Sequence, residues 1–415
     1  MNILILTAYI LEVFVLCYFE AKIWRSFFTP LFFLMIPYSI VLIVTVLLSG
    51  NSVIGLKELY YPSILIWCVG LFIFSIPSYA LGYANMRKGW NAQPPTVKEN
   101  DIPDLIFWIV LVLSILFIIR FRSMSATTDT FVGSEEFADD FSAHGLWAHI
   151  KQIIFPFLII GLFLVDRNHK RMWLIILPIL FVIIVNQVKG NILIGLLAGM
   201  CMRVCFGKTR ITWKLFLWVL LGAFGVFLVS YAILPILGKG AGKITGELWL
   251  FVARTFVHYL TSGIQGLSID MANGFPDTGS FQTIISPLVN LSNTIQGNGS
   301  ELISPVNKYY LYSGINLTNV RTFFGTLYIY SNSFSFVLYT LFLSTFLYLL
   351  RIGSVRMGSL YLHTIYFFML MLLAMGWFEF YFFHLMVIEI PIIILLFWFS
   401  IHFVNKYIFT NSNGA

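Results

Sequence analysis

The chain has 415 residues, 59% of them hydrophobic and 10% charged, and a mean hydropathy of +0.89. Soluble domains carry roughly 25% charged residues, so a soluble globular protein is excluded and a polytopic membrane protein is implied. The net charge of +7 is no nucleic-acid signature, because the basic residues sit mostly in short loops between apolar runs, where they set orientation.

Cys17, Cys68, Cys201 and Cys205 fall in or at the ends of apolar runs, which implies no disulfide framework. No His or Cys spacing suggests a metal site, and no cofactor is expected.

A spanning helix needs about 20 apolar residues. Taken in order, the candidate spans are 3–19, 27–48, 62–83, 105–121, 150–165, 173–188, 192–206, 213–237, 323–350, 360–377 and 382–404. The first has no basic flank before it and no small-residue cleavage site, so it reads as a span and not a removed signal peptide. The expectation is an all-α polytopic membrane protein of about eleven transmembrane helices. Residues 1–237 hold the first eight and residues 323–415 the last three with a short tail. Residues 238–322 form a long polar insertion between them.

Lys and Arg in the short loops set the orientation. One alternate set of loops holds Lys22 and Arg25; Arg87, Lys88 and Lys98; Arg167, Lys170 and Arg171; Arg203, Lys208, Arg210 and Lys214; Arg351 and Arg356; and Lys406 in the tail. These are expected to be cytoplasmic. The other set holds the acidic stretch around Asp129, Glu135, Glu136, Asp139 and Asp140, the Lys189-Gly190 turn, the insertion and the Glu379 turn. These are expected outside, with the N-terminus outside and the C-terminus inside.

Parity then constrains the insertion. Its helical segment 247–267 cannot cross once without turning Arg351, Arg356 and Lys406 outward, so an interfacial or re-entrant helix is expected. At 100° per residue, Glu247, Arg254, His258, Thr261, Ser262 and Gln265 fall in one narrow arc, interrupted by Phe251. Arg254 and His258 stand one turn apart. Arginine suits phosphate because its fork donates bidentately, and histidine can bond phosphate or carry a proton. The competing reading is a polar face that meets lipid headgroups.

Gly238 to Lys243 lacks the spacing of an ATP-binding loop. A Gly-rich basic turn before a helix still offers N–H groups and the charges of Lys239 and Lys243 to a phosphate; otherwise it is a surface turn. Lys189 and Arg321 each flank a span, where an anchor is the plain reading. Glu12 and Glu389 lie within apolar runs, each without a partner visible in the sequence; intramembrane carboxylates are functional candidates. His144 and His149 read as part of a solvated external loop. Tyr309, Tyr310 and Tyr312 suit either a sugar platform or an interfacial aromatic belt.

Three stretches resemble the O-antigen (oligosaccharide repeat unit) polymerases, the Wzy family. They are Val188-Lys189-Gly190-Asn191-Ile192-Leu193-Ile194, Tyr259-Leu260-Thr261-Ser262-Gly263-Ile264-Gln265-Gly266-Leu267 and Asn319-Val320-Arg321-Thr322-Phe323-Phe324-Gly325-Thr326-Leu327-Tyr328. The layout, with one large external loop late in the chain, is similar too. The resemblance implies a membrane glycosyltransferase of the bacterial inner membrane that needs no nucleotide sugar and no metal. Its substrate would be undecaprenyl-diphosphate-linked oligosaccharide, and a chain-length regulator is the candidate partner.

A diphosphate leaving group needs fixed positive charge, for which Arg254, Arg321, Lys189, Lys239 and Lys243 are the candidates. A base for the acceptor hydroxyl would be a carboxylate or histidine: Glu247, His258, Asp270 or Asp277. An O-antigen ligase, a flippase or other transporter, and a polysaccharide acyltransferase are the alternatives.

Overall fold

A computed structural model describes residues 2–87, 96–98, 101–127, 137, 140–141, 145–166, 168–186, 189–210, 212–214, 217, 221–222, 225, 246–275, 280–296, 302–304 and 307–404. Among them are thirteen α-helices. They are α1 (Asn2–Trp24), α2 (Pro30–Leu48), α3 (Ile64–Arg87), α4 (Asp104–Thr127), α5 (Gly145–Leu164), α6 (Trp173–Val185), α7 (Lys189–Cys205), α8 (Gly246–Ala272), α9 (Ser286–Gln296), α10 (Phe323–Ile329), α11 (Ser333–Met357), α12 (Leu360–Ala374) and α13 (Met386–Val404). Two antiparallel strands, β1 (Leu311–Tyr312) and β2 (Leu317–Thr318), form a small hairpin with Tyr312 opposite Leu317. The chain is an all-α polytopic membrane protein. Seven described helices are long and apolar enough to cross a membrane.

Two units make up the chain. The first comprises Met1–Pro94, Ala253–Ile352 and Met369–Val387; the second comprises Pro95–Val252, Gly353–Phe368 and Ile388–Ala415.

In the second unit α5 packs on α6 and α7, and α4 on α6. Lipid tails are as apolar as the side chains, so helices in a membrane associate through close packing at small residues. Gly195 and Gly199 of α7 supply that closeness: a Cβ there would stand 2.7 Å from Leu158 Cδ2 and from Leu162 Cβ.

In the first unit α1 packs on α3, and α3 also meets α10. One end of this unit is tied by Glu20, whose carboxylate accepts from Ser78 Oγ and from Tyr348 Oη, each at 2.6 Å. Trp24 stacks on Tyr348, and the Arg351 guanidinium lies 4.2 Å from the Trp24 ring. The basic loops expected to be cytoplasmic, around Lys22 and Arg351, therefore meet at one end of the unit.

The structure changes several sequence expectations. The apolar run 323–350 is not one helix. It breaks after Ile329 and resumes at Ser333, because Ser331 and Asn332 favour turns and the Asn332 side chain accepts from the Ser335 N–H. Helix α11 alone is long enough to span, which leaves α10 as a separate short helix. The insertion helix runs Gly246–Ala272, five residues past the expected end at 267. Though 27 residues long, it is not among the seven span-like helices.

Lys189 begins α7 and so lies in a helical turn, not a tight loop. Glu389 is not alone, since His149 Nδ1 lies 2.5 Å from its carboxylate. The expected span 213–237 and the Gly238–Lys243 turn fall largely or wholly outside the described residues.

Candidate functional site

The polar stripe on α8 is the axis of the site. Arg254, His258, Thr261, Ser262, Gln265 and Ser268 follow helical periodicity and face one side. Beyond the part-exposed Arg254, that side does not meet solvent. Thr261, Ser262, Gln265, Ser268 and Asp270 are buried, as is His258. The stripe is a polar seam onto two loops that carry backbone groups with no helical partner of their own.

The first loop joins α2 to α3. Arg254 donates to the Val53 carbonyl from Nη2 at 2.8 Å and from Nε at 3.3 Å. Gln265 Nε2 donates to the Lys57 carbonyl at 3.0 Å, and Ser268 Oγ accepts from Tyr60 N–H at 2.7 Å. The second loop carries the hairpin. His258 Nδ1 lies 2.9 Å from Ser313 Oγ, and Lys57 N–H donates to the Ser313 carbonyl at 2.9 Å. Burial holds the His258 pKa below the usual histidine value, partly offset by a hydrogen bond with the Leu317 backbone.

Asp270 lies further along α8, off the stripe. Its carboxylate accepts from Arg321 Nε in an ion pair with side-chain exposures of 1% and 2%. Arg321 Nη1 also donates to the Val320 carbonyl at 3.0 Å, while Nη2 is buried without a hydrogen-bond partner. An arginine flanking a span was expected at a membrane surface; here it is a buried, paired group.

Local sequence explains how Arg321 is held. Thr322 caps α10, its Oγ1 accepting from Gly325 N–H at 3.2 Å and from Trp67 Nε1 at 2.8 Å. Thr326 Oγ1 donates to the Arg321 carbonyl at 3.0 Å. Gly263 and Gly266 let other backbones approach α8. A Cβ on Gly263 would stand 2.3 Å from the Phe378 carbonyl oxygen, and one on Gly266 2.3 Å from that of Val320.

Tyr330, at the break after α10, lies within electrostatic reach of this pair. Burial raises the Tyr330 phenol pKa; the Arg321 charge opposes that rise, and Asp270, Glu379 and Tyr309 add to it. Glu379 comes from the turn between α12 and α13, and His384 Nε2 of the same turn lies 3.7 Å from its carboxylate. On and beside the hairpin, Tyr309, Tyr310 and Tyr312 are 53–59% exposed. Lys57 Nζ sits 5.7 Å from the Tyr312 ring centroid.

In the first unit the structure pairs Asp270 with Arg321 and sets Arg254 and His258 earlier on the same helix, against the α2–α3 loop and the hairpin. It does not place Lys239, Lys243 or Asp277, which lie outside the described residues, nor the side chains of Lys189 and Glu247. Sequence reasoning passed over Tyr330, Glu379 and His384 as a group. The polar Tyr330-Ser331-Asn332-Ser333 inside an apolar run was the signal available.

These features define a multi-pass, all-α membrane protein with a buried polar stripe on its insertion helix. A family of unknown function, DUF6337, matches residues 55–406, and the chain belongs to it. The match takes in the whole of α8, the hairpin and the Glu379 turn. No curated protein and no solved structure matches.

Proposed function

We propose that the chain is an oligosaccharide repeat unit polymerase of the bacterial inner membrane. It joins undecaprenyl-diphosphate-linked repeat units on the periplasmic side. The orientation rests on the Lys/Arg asymmetry of the loops. The observation that carries the reading is the packing of two resembling stretches against each other. Tyr259–Leu267 of α8 meets 319–328 through Gly266 at Val320 and Leu267 at Gly325, and it is followed closely by the Asp270–Arg321 pair.

The chemistry needs positive charge where the diphosphate leaves. Arg254, part-exposed on α8, is the cation a lipid diphosphate can reach, while Arg321 is buried in its ion pair with Asp270, about 24 Å further along the helix. The tyrosine-bearing hairpin lies beside them, where a sugar ring can stack. Membrane lipids and a chain-length regulator are the remaining partners of this reading.

A strain lacking the protein tests it. Long polysaccharide should vanish while lipopolysaccharide capped by one repeat unit persists on the gel. Loss of the single-repeat band as well would favour a ligase or a flippase.

A further inference from the structure

A glycosyl transfer from a lipid diphosphate needs a proton acceptor as well as a cation, and the two sequence candidates whose side chains are described are poorly free to serve. Asp270 is buried and held by Arg321. His258 is buried against Ser313 and fastens the hairpin to α8. An acceptor must be within reach of the substrate hydroxyl and must be able to pass its proton on.

The turn between α12 and α13 offers such a group. His384 has 31% side-chain exposure and Glu379 has 17%. The turn is pressed against the site from two sides. Tyr259 stacks on Phe378 with ring centroids 5.0 Å apart, and Phe323, two residues after Arg321, packs on Phe380 at 5.0 Å. Ser286 Oγ donates to the Phe383 carbonyl at 3.2 Å. Glu379 and the Asp270–Arg321 pair act on one phenol, Tyr330, so these groups share one electrostatic environment. The His384 ring packs on Tyr381 and Phe383 of its own turn, and the Glu379 charge acts on Tyr330 from the α10–α11 break and on Tyr381.

We infer that His384, steadied by Glu379, is the proton acceptor for the acceptor sugar hydroxyl, an assignment that rests on the polymerase reading above. The hydroxyl oxygen forms a bond to the anomeric carbon of the donor sugar. The bond from that carbon to the diphosphate oxygen breaks, and its electron pair leaves with the diphosphate. The hydroxyl proton passes to His384 Nδ1, because Nε2 faces the Glu379 carboxylate. The ring then releases the proton to water, the His384 side chain being 31% exposed.

The test uses the full-length protein in liposomes, supplied with undecaprenyl-diphosphate-linked oligosaccharide extracted from the deletion strain. His384→Ala and His384→Gln should each lower kcat by about 100-fold or more, the range of general base catalysis, with KM changed little. Glu379→Gln should lower kcat less than either. If His384→Ala does not accumulate, His384→Gln carries the comparison alone, since it keeps the volume and a polar atom. A kcat within about threefold of the unaltered protein, or a loss confined to KM, would overturn the assignment, because a general base acts on the chemical step. The polymerase reading fails separately: the unaltered protein would then produce no extended chains at all.

Discussion

Arg321 and Asp270 stand 51 residues apart in the chain and close a buried ion pair between the end of the insertion and the C-terminal part of α8. Breaking a buried pair by removing one partner costs about 3–5 kcal/mol, because the other charge is left uncompensated. Arg321→Ala and Asp270→Ala should each lose stability of that order in detergent micelles. The double variant should lose much less than the two losses added. Arg321→Lys should not rescue, since one ammonium cannot bond both the Asp270 carboxylate and the Val320 carbonyl in the geometry of the fork. Additive losses, or single losses under about 1 kcal/mol as for exposed pairs, would mean that the pair is not coupled.

Gly263 and Gly266 should resist the usual gain from alanine in a helix. Alanine is favoured over glycine by about 0.8–1 kcal/mol on propensity. Here a Cβ would press on backbone carbonyls at 2.3 Å, and overpacking costs about 1–3 kcal/mol. The second effect wins, so Gly263→Ala and Gly266→Ala should lower the melting temperature. A rise would show that the close approach is not real.

The helical stripe was legible in the sequence because periodicity is local: Arg254, His258 and Gln265 were placed on one face correctly. Their partners were not legible. Val53, Ser313 and the Lys57 carbonyl belong to loops 201, 55 and 208 residues away, and no spacing rule reaches that far. The stripe's meaning therefore changed from a face for headgroups or phosphate to a seam between segments. The Ile329–Ser333 break was hidden for a different reason. Hydropathy over a window averages two or three polar residues into an apolar run, whereas a helix is ended by a single local turn. Glu389 looked solitary because His149 is 240 residues distant.

His258 gives a pH dependence whose sign follows from its burial. Its folded pKa lies below the usual histidine value, so the unfolded chain binds the proton more readily. This contribution to stability is present above the ordinary value near 6.5 and is lost as pH falls from there toward the folded pKa. Melting temperature should drop over that window, and His258→Gln should flatten the drop. An equal slope in the variant would remove His258 as its source.

The orientation has a chemical test. With the four native cysteines replaced by serine, a cysteine at Tyr310, which is 59% exposed, should react with a membrane-impermeant thiol reagent in cells with a permeable outer envelope. A cysteine at Lys170, exposed at the start of a one-turn helix before α6, should stay unlabelled until the inner membrane is opened. The reverse pattern would turn the protein over.

The most direct measurement is elongation by the purified protein. The full-length chain in liposomes is given undecaprenyl-diphosphate-linked repeat units as the sole sugar source, and the products are sized. The account predicts saccharides at integer multiples of the repeat, with undecaprenyl diphosphate released as they grow, and a matched preparation of Arg254→Ala that makes none. Repeat units that remain unextended beside a folded, unaltered protein, or that are only carried across the bilayer, would contradict it.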